Sequence, residues 1–315
     1  MIEISHLVKT YGGHYAVKDL SATIRDGRIY GFLGPNGAGK STTMNIITGY
    51  LAPTAGEVKI DGHDIMKEPE AAKQEIGYLP EVPPLYQDMT VEEYLRFAAR
   101  LKRVPAGRLA GEVERCTKLA GLEEVKRRLI ANLSKGYKQR VGLAQAVLGE
   151  PRTIILDEPT VGLDPKQMIE MRELIRSLGR KHTVILSSHI LSEVSAVCDE
   201  ILIISRGELV ASDTPQGLAE KRKGALALKL SVRGSREALE ETLRNLPGAE
   251  RFSVRQEKEE TVAEIHESAG QDIREPLFYA LAEKKMPILS MERSGESLEE
   301  IFLQLTEKTG EEERR

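Results

Sequence analysis

The stretch Gly34-Pro35-Asn36-Gly37-Ala38-Gly39-Lys40-Ser41 constrains this chain more than any other, because it fits G-x-x-x-x-G-K-[ST] at every position. Its glycines let the backbone curl until successive N–H groups point inward at phosphate oxygens. Lys40 brings a mobile positive charge to the β- and γ-phosphates, and the Ser41 hydroxyl can hold Mg2+. Thr42 follows as a further nucleotide contact. Before the loop, residues 28–33 read as a buried strand. After it, residues 41–49 read as a helix closed by Gly49, with its positive N-terminal end toward the phosphates. The order strand, loop, helix predicts a nucleoside triphosphate site. A plain glycine-rich turn is the alternative, and it does not account for Lys40 and Ser41 both standing in register.

Composition narrows the setting. At 315 residues the chain has room for one large or two moderate domains. No apolar run approaches the ~18 residues of a membrane span, and the N-terminus lacks a basic-then-apolar signal pattern. A net charge of -4 and a pI near 6.0 argue against nucleic acid as the main partner. Cys116 and Cys198 match no metal or redox spacing, which predicts reduced thiols in the cytoplasm. Any membrane role must therefore come through a partner.

Residues 1–80 read as rich in β structure, with apolar runs at Ile2 to Val8, Ile29 to Leu33, Val58 to Ile60 and Ile76 to Leu79. Residues 90–150 change to helix. Thr90-Val91-Glu92-Glu93 is a capping-box pattern opening Val91 to Leu101, and a second helix is expected from Leu109 to Ala120. Strands return at Thr153 to Leu156, Thr183 to Ser187 and Glu200 to Ile204, with a helix at Lys166 to Arg180 between the first two. That alternation predicts a parallel core sheet with the helical block inserted in it. From about residue 222 the order βαββαβ suggests a small ferredoxin-like sandwich. It ends in a second capping box and an amphipathic helix at Ser297 to Leu305, then a charged, frayed tail from Gly310 to Arg315.

A phosphate loop alone names no function, but further motifs follow it in order. Thr153-Ile154-Ile155-Leu156-Asp157-Glu158 is an apolar strand ending in two carboxylates. Such a strand brings Asp157 to where it can hold Mg2+ and Glu158 to where it can orient an attacking water; an Asp-Glu pair capping the next helix is the bland alternative. Upstream, Leu133-Ser134-Lys135-Gly136-Tyr137 places Ser134 as an N-cap, and a hydroxyl, a flexible Gly136 and free N–H groups make a second phosphate-binding surface. Read alone, this run is equally an ordinary helix start. Its place before the carboxylate strand makes it specific.

With these motifs in order, residues 1 to about 220 resemble the ATP-binding subunit of an ABC transporter. The resemblance implies an α/β fold: a P-loop NTPase of ABC type with a mixed β-sheet core, an inserted helical subdomain at about 86–150, and a small α+β C-terminal domain. The domains would be 1–221 and 222–315. It places the signature LSGGQ at LSKGY, the second Walker motif at Asp157 and Glu158, and a D-loop at Gly162-Leu163-Asp164-Pro165. It also places a γ-phosphate-contacting switch histidine at His189 and an adenine-stacking aromatic at Tyr11. Alone, His189 would be a polar residue at a strand end. The signature departs from the pattern at Lys135 and Tyr137 but keeps Ser134 and Gly136. At the Q-loop, Glu81 stands where the family usually has Gln; it is either a Mg2+ ligand or a solvated loop residue.

In this family two subunits sandwich two ATP molecules, each between the Walker A loop of one chain and the signature of the other. The resemblance therefore implies a second ATP-binding subunit, identical or related, and a separate integral membrane permease. It implies a place on the inner face of the cell membrane, reached through that permease, with ATP and Mg2+ as cofactors. The loop Glu81 to Met89 is the candidate docking surface; the alternative has Leu85, Tyr86 and Met89 packing under the helical insertion. The ending SLEEIFLQLT is similar to tails on bacterial export-type subunits of drug-resistance and gliding-motility-like systems, in a role open between dimer support, regulation and passive stabilisation. A soluble ABC-type clamp acting on ribosomes or DNA is the rival function. The cargo is not written in this chain.

Overall fold

Alternating burial makes β1 (Ile2–Tyr11) a strand with Ile2, Ile4 and Leu7 inward, and a tight turn sends it into β2 (His14–Ile24), which pairs back antiparallel. The computed structural model describes residues 1–220, 227–257, 260–267, 272–294 and 302. Strand β3 (Ile29–Leu33) is buried throughout and leads through the phosphate loop into α1 (Lys40–Ile47). Strands β4 (Ala55–Ile60) and β5 (His63–Asp64) complete an antiparallel sheet in the order β2-β1-β4-β5, and α2 (Pro69–Gln74) follows. After β6 (Ile76–Leu79) come the three helices of the insertion, α3 (Val91–Leu101), α4 (Ala106–Leu119) and α5 (Lys135–Val147). Then β7 (Thr153–Asp157), α6 (Pro165–Gly179), β8 (Thr183–Ser188) and α7 (Leu191–Val197) alternate. The hairpin β9 (Glu200–Ser205) and β10 (Glu208–Asp213) precedes α8 (Pro215–Glu220).

The second sheet runs β10-β9-β3-β8-β7-β6, parallel except at β9–β10. Its inner strands are apolar on both faces, as a sheet covered on both sides requires. Met44, Ile46 and Ile47 of α1 share one buried cluster with Ile4 and Leu7 of the first sheet and Phe32, Ile155 and Ile185 of the second. Each such side chain contributes roughly 1.5–3 kcal/mol on burial. The helix carrying the phosphate loop is thus gripped from both sides.

The predicted capping box at Thr90 is formed: the Glu93 N–H donates to Thr90 Oγ1 at 3.3 Å and the Thr90 N–H to Glu93 Oε2 at 2.9 Å. The second helix starts at Ala106 rather than Leu109, because Pro105 at its N-cap brings the chain in already extended. Strands β2, β5 and β10 lie outside the apolar runs of the sequence; register shifts interrupt the alternation in β2 and β10, and β5 is two residues long.

The described chain divides into two compact units, one from Met1 to Pro215 and one from Gln216 onward. The second contains β11 (Ala227–Val232), α9 (Arg236–Arg244), β12 (Ala249–Glu257), β13 (Glu260–Glu267), α10 (Arg274–Glu283) and β14 (Ile288–Ser294). Its antiparallel sheet runs β12-β13-β11-β14, with Leu239, Leu243, Leu277 and Leu281 of the two helices buried against Leu228, Leu230 and Ile265. The amphipathic helix expected at Ser297 to Leu305 and the tail from Gly310 lie outside the described residues.

At Gly77 in β6 the insertion lies close against the sheet: a Cβ there would stand 2.0 Å from the Ala146 carbonyl oxygen of α5. Gly77→Ala should cost about 1–3 kcal/mol, read as a lower midpoint in thermal unfolding of the full chain. An unchanged midpoint would show that α5 yields freely.

Candidate functional site

Strand order builds the site. Strands β3, β8 and β7 are neighbours and parallel, so their C-terminal ends open on one side of the sheet, where ligands of open α/β sheets bind. The phosphate loop leaves β3, His189 follows β8, and Asp157 and Glu158 end β7. Gly39 caps α1 with φ +102, a conformation L side chains rarely adopt, and a Cβ there would stand 2.4 Å from the Ala16 carbonyl oxygen. Gly34, Pro35 and Ala38 shape the loop: the Ala38 N–H donates to the Pro35 carbonyl at 3.1 Å.

Lys40 is 6 % exposed. Its ammonium donates to the Gly34 carbonyl at 2.8 Å and the Pro35 carbonyl at 3.3 Å, and lies 3.7 Å from Glu158 Oε1. Burial pushes its pKa below the ordinary lysine range, while the Glu158 and Asp157 carboxylates pull it back up. Glu158 has φ +47, a left-handed turn that aims its side chain back at the loop. His189 Nδ1 is 3.1 Å from both Glu158 carboxylate oxygens. Buried Ser187 ties the two carboxylate residues together: its hydroxyl donates to Asp157 Oδ1 and accepts the Glu158 N–H at 3.0 Å. The Ser41 hydroxyl donates to the same Asp157 oxygen at 3.4 Å.

A cavity of about 460 Å3 opens here, lined by Asn36, Gly37, Lys40, Ser41 and Thr42 of the loop. Glu81, Glu158 and His189 line it from the other strand ends, and His14 and Ala16 from β2. The arrangement suits a triphosphate: loop N–H groups and a cation for the phosphates, and a carboxylate beside them to take a proton. Among the described residues no group of three or more His, Cys, Asp or Glu side chains is arranged to hold a metal alone. Ser41 and Asp157 together still offer hard oxygen donors of the kind Mg2+ takes alongside substrate phosphates.

The remaining sequence candidates stand elsewhere. Tyr11 is half-exposed at the end of β1, with the Lys9 ammonium 5.2 Å from its ring centre, and does not line the cavity. Ser134 caps α5, accepting the Tyr137 N–H at 3.4 Å, and Asp164 caps α6, accepting the Gln167 N–H at 2.9 Å. Gly136 is buried beside Gln167. None of these lines the cavity. Sequence reasoning missed His14, Ala16 and Ser187. The signal for Ser187 was two serines closing a buried strand, after the apolar run Val184 to Leu186 and just before His189.

The fold and this site define a P-loop NTPase whose cavity-lining charged side chains sit at the ends of adjacent parallel strands. A family model described as ABC transporter matches residues 17–161. The linearmycin resistance ATP-binding protein LnrL of Bacillus subtilis (strain 168) is 32% identical over 310 residues, covering 98% of this chain and 99% of that protein. The bacitracin transport ATP-binding protein BcrA of Bacillus licheniformis is 33% identical over 307 residues, covering 97% of each. The dimeric post-hydrolysis structure of the ATP-binding cassette MJ0796 bound to ADP and Pi superposes with a TM-score of 0.63 at 27% identity, over 68% of this chain and 98% of that one. The chain belongs to the ABC transporter family, as an ATP-binding subunit that hydrolyses ATP.

Gly39→Ala should weaken ATP binding by ~10-fold or more, because the added methyl meets both an unfavourable φ and the Ala16 carbonyl. Titration with a fluorescent ATP analogue measures this; wild-type affinity would mean the loop adapts at no cost.

Proposed function

We propose that this chain is the energy-supplying subunit of a membrane exporter, working as two copies, or one copy and a related chain, that close on two ATP molecules. The observation that carries this reading is the split of the motif residues. Lys40, Glu158 and His189 meet around one cavity with Asp157 hydrogen-bonded behind them, whereas Ser134, Gly136 and Asp164 sit at the starts of α5 and α6 outside it. A partner's signature turn completes the site over the γ-phosphate, and Tyr11 supplies a flat face for adenine.

Glu158 takes the proton of the attacking water as its oxygen bonds to the γ-phosphorus and the bridge to the β-phosphate breaks, giving ADP and phosphate. His189 holds the Glu158 carboxylate in line and faces the γ-phosphate. Ser41 and Asp157, with Glu81 at the cavity edge, would hold Mg2+, which neutralises charge on the phosphate oxygens. Loss of the γ-phosphate then releases the clamp.

Among the described residues no helix is long and apolar enough to cross a membrane, so the cargo path is assigned to a separate permease. The docking surface is a concavity of about 740 Å3 lined by Tyr50, Tyr78, Pro80, Val82, Pro84 and Gln145, between the end of α1, β6 and the helical insertion. Its lip is apolar and open to water, with Val82 78% exposed. Tyr86 instead packs edge-on against Phe97 at 5.5 Å while remaining exposed. The roles for which LnrL and BcrA are named, linearmycin resistance and bacitracin transport, support export as the direction. In this reading residues 1–221 form the nucleotide-binding domain, residues 222–315 an accessory domain, and the permease holds the chain at the inner face of the cell membrane.

Glu158→Gln should bind MgATP, hydrolyse it at least ~100-fold more slowly and accumulate as a dimer, with EDTA returning it to monomer. Tagged Glu158→Gln chain drawn from mild detergent with MgATP should bring a multi-spanning membrane protein at near-equal stoichiometry, and Val82→Glu should abolish its recovery. Wild-type turnover sinks the catalytic assignment; recovery of ribosomal or DNA-bound proteins instead moves the chain to the soluble clamps.

A further inference from the structure

Behind the cavity lies a buried carboxylate that the chemistry above leaves unused. Glu193, in the first turn of α7, is 7% exposed. Its Oε2 accepts the Thr160 hydroxyl at 2.6 Å and the Ser188 hydroxyl at 3.3 Å. Its Oε1 is buried with no hydrogen-bond partner, and no lysine, arginine or histidine lies within ion-pair distance among the described residues. A buried carboxylate without a cation is costly, so its place needs a reason.

The partners supply one. Thr160 stands two residues after Glu158, and Ser188 stands immediately before His189. Ser188 Oγ also accepts the Ile190 N–H at 3.0 Å, so the Glu193 network holds the backbone on both sides of His189. The loops after β7 and β8 are therefore laced twice, once by Ser187 beneath Asp157 and Glu158 and once by Glu193 beneath Thr160 and Ser188. Each loop carries one half of the His189–Glu158 contact at 3.1 Å. Glu158 is also the member of that pair with a left-handed backbone, which persists only where the surroundings hold it.

We infer that Glu193 is a positioning residue for ATP hydrolysis: by accepting hydrogen bonds from Thr160 and Ser188 it fixes the loop of Glu158 against the loop of His189. Its side chain does not line the nucleotide cavity. Because both hydroxyls donate to one oxygen, the work requires an acceptor and not a charge. The inference rests on the assignment of Glu158 and His189 to hydrolysis, and His189→Ala alone tests that assignment. If His189→Ala turns over at the wild-type rate, the assignment is lost whatever Glu193 does.

The test is steady-state hydrolysis by the full chain with Glu193 replaced by Gln, which keeps the acceptor, and by Met, which keeps the bulk alone. Glu193→Met should lower kcat ~10-fold or more with the KM for ATP within about twofold, whereas Glu193→Gln should stay within about threefold of wild type. In a His189→Ala background the Met substitution should cost less than about twofold more, because its effect passes through His189. Equal rates for the Gln and Met variants, KM and kcat shifted by the same factor, or an undiminished effect without His189 would each overturn the inference. Should Glu193→Met fail to fold, Thr160→Val and Ser188→Ala each remove one of the two hydrogen bonds and carry the same expectation.

Discussion

Everything at the candidate site depends on the parallel pairing of β3, β8 and β7. The ladder joins Phe32 to Ser187 and Ser187 to Asp157, so three chain segments far apart in sequence end within reach of one another. No single segment carries the site. The phosphate loop supplies a cation and N–H groups, the end of β7 two carboxylates, and the end of β8 an imidazole. Only strand pairing, backed by the apolar cluster around α1, brings them together.

The consequence is electrostatic. Lys40 and Glu158 are buried within ion-pair reach of each other, and the more exposed His189 closes on Glu158 from the solvent side. Desolvating such groups is expensive, and their mutual attraction offsets the cost only when geometry is good and lone pairs are filled. The Gly34 carbonyl meets Lys40, and the Ser187 hydroxyl meets Asp157. Charges kept close and poorly solvated respond strongly to an incoming polyanion, which is what a site that must distinguish ATP from ADP requires.

Groups contiguous in the chain were legible before the structure. The phosphate loop, the apolar strand ending in Asp157 and Glu158, and the caps at Thr90 and Ser134 each carry their signal within a few residues, and each folds as its local chemistry dictates. What stayed hidden depends on which strands become neighbours. Nothing in the sequence around Ser187 says that its hydroxyl will meet Asp157, thirty residues away. Glu193 reads as an acidic residue favourably placed at a helix start, and only the fold sets it beneath Thr160. His14 and Ala16 reach the cavity by a hairpin whose bulged register no alternating pattern announces.

Two glycines, one in the signature turn and one before α6, each face a side chain from the other segment. A Cβ on Gly162 would stand 2.2 Å from Lys135 Nζ, and one on Gly136 would stand 2.3 Å from Gln167 Oε1. The start of α5 therefore lies against the segment that runs from Glu158 into α6, with the Lys135 and Gln167 side chains between them. Bulk added at Gly162 or Gly136 would meet the Lys135 or Gln167 side chain before it met any backbone, so each glycine leaves room for the side chain that bridges α5 and α6.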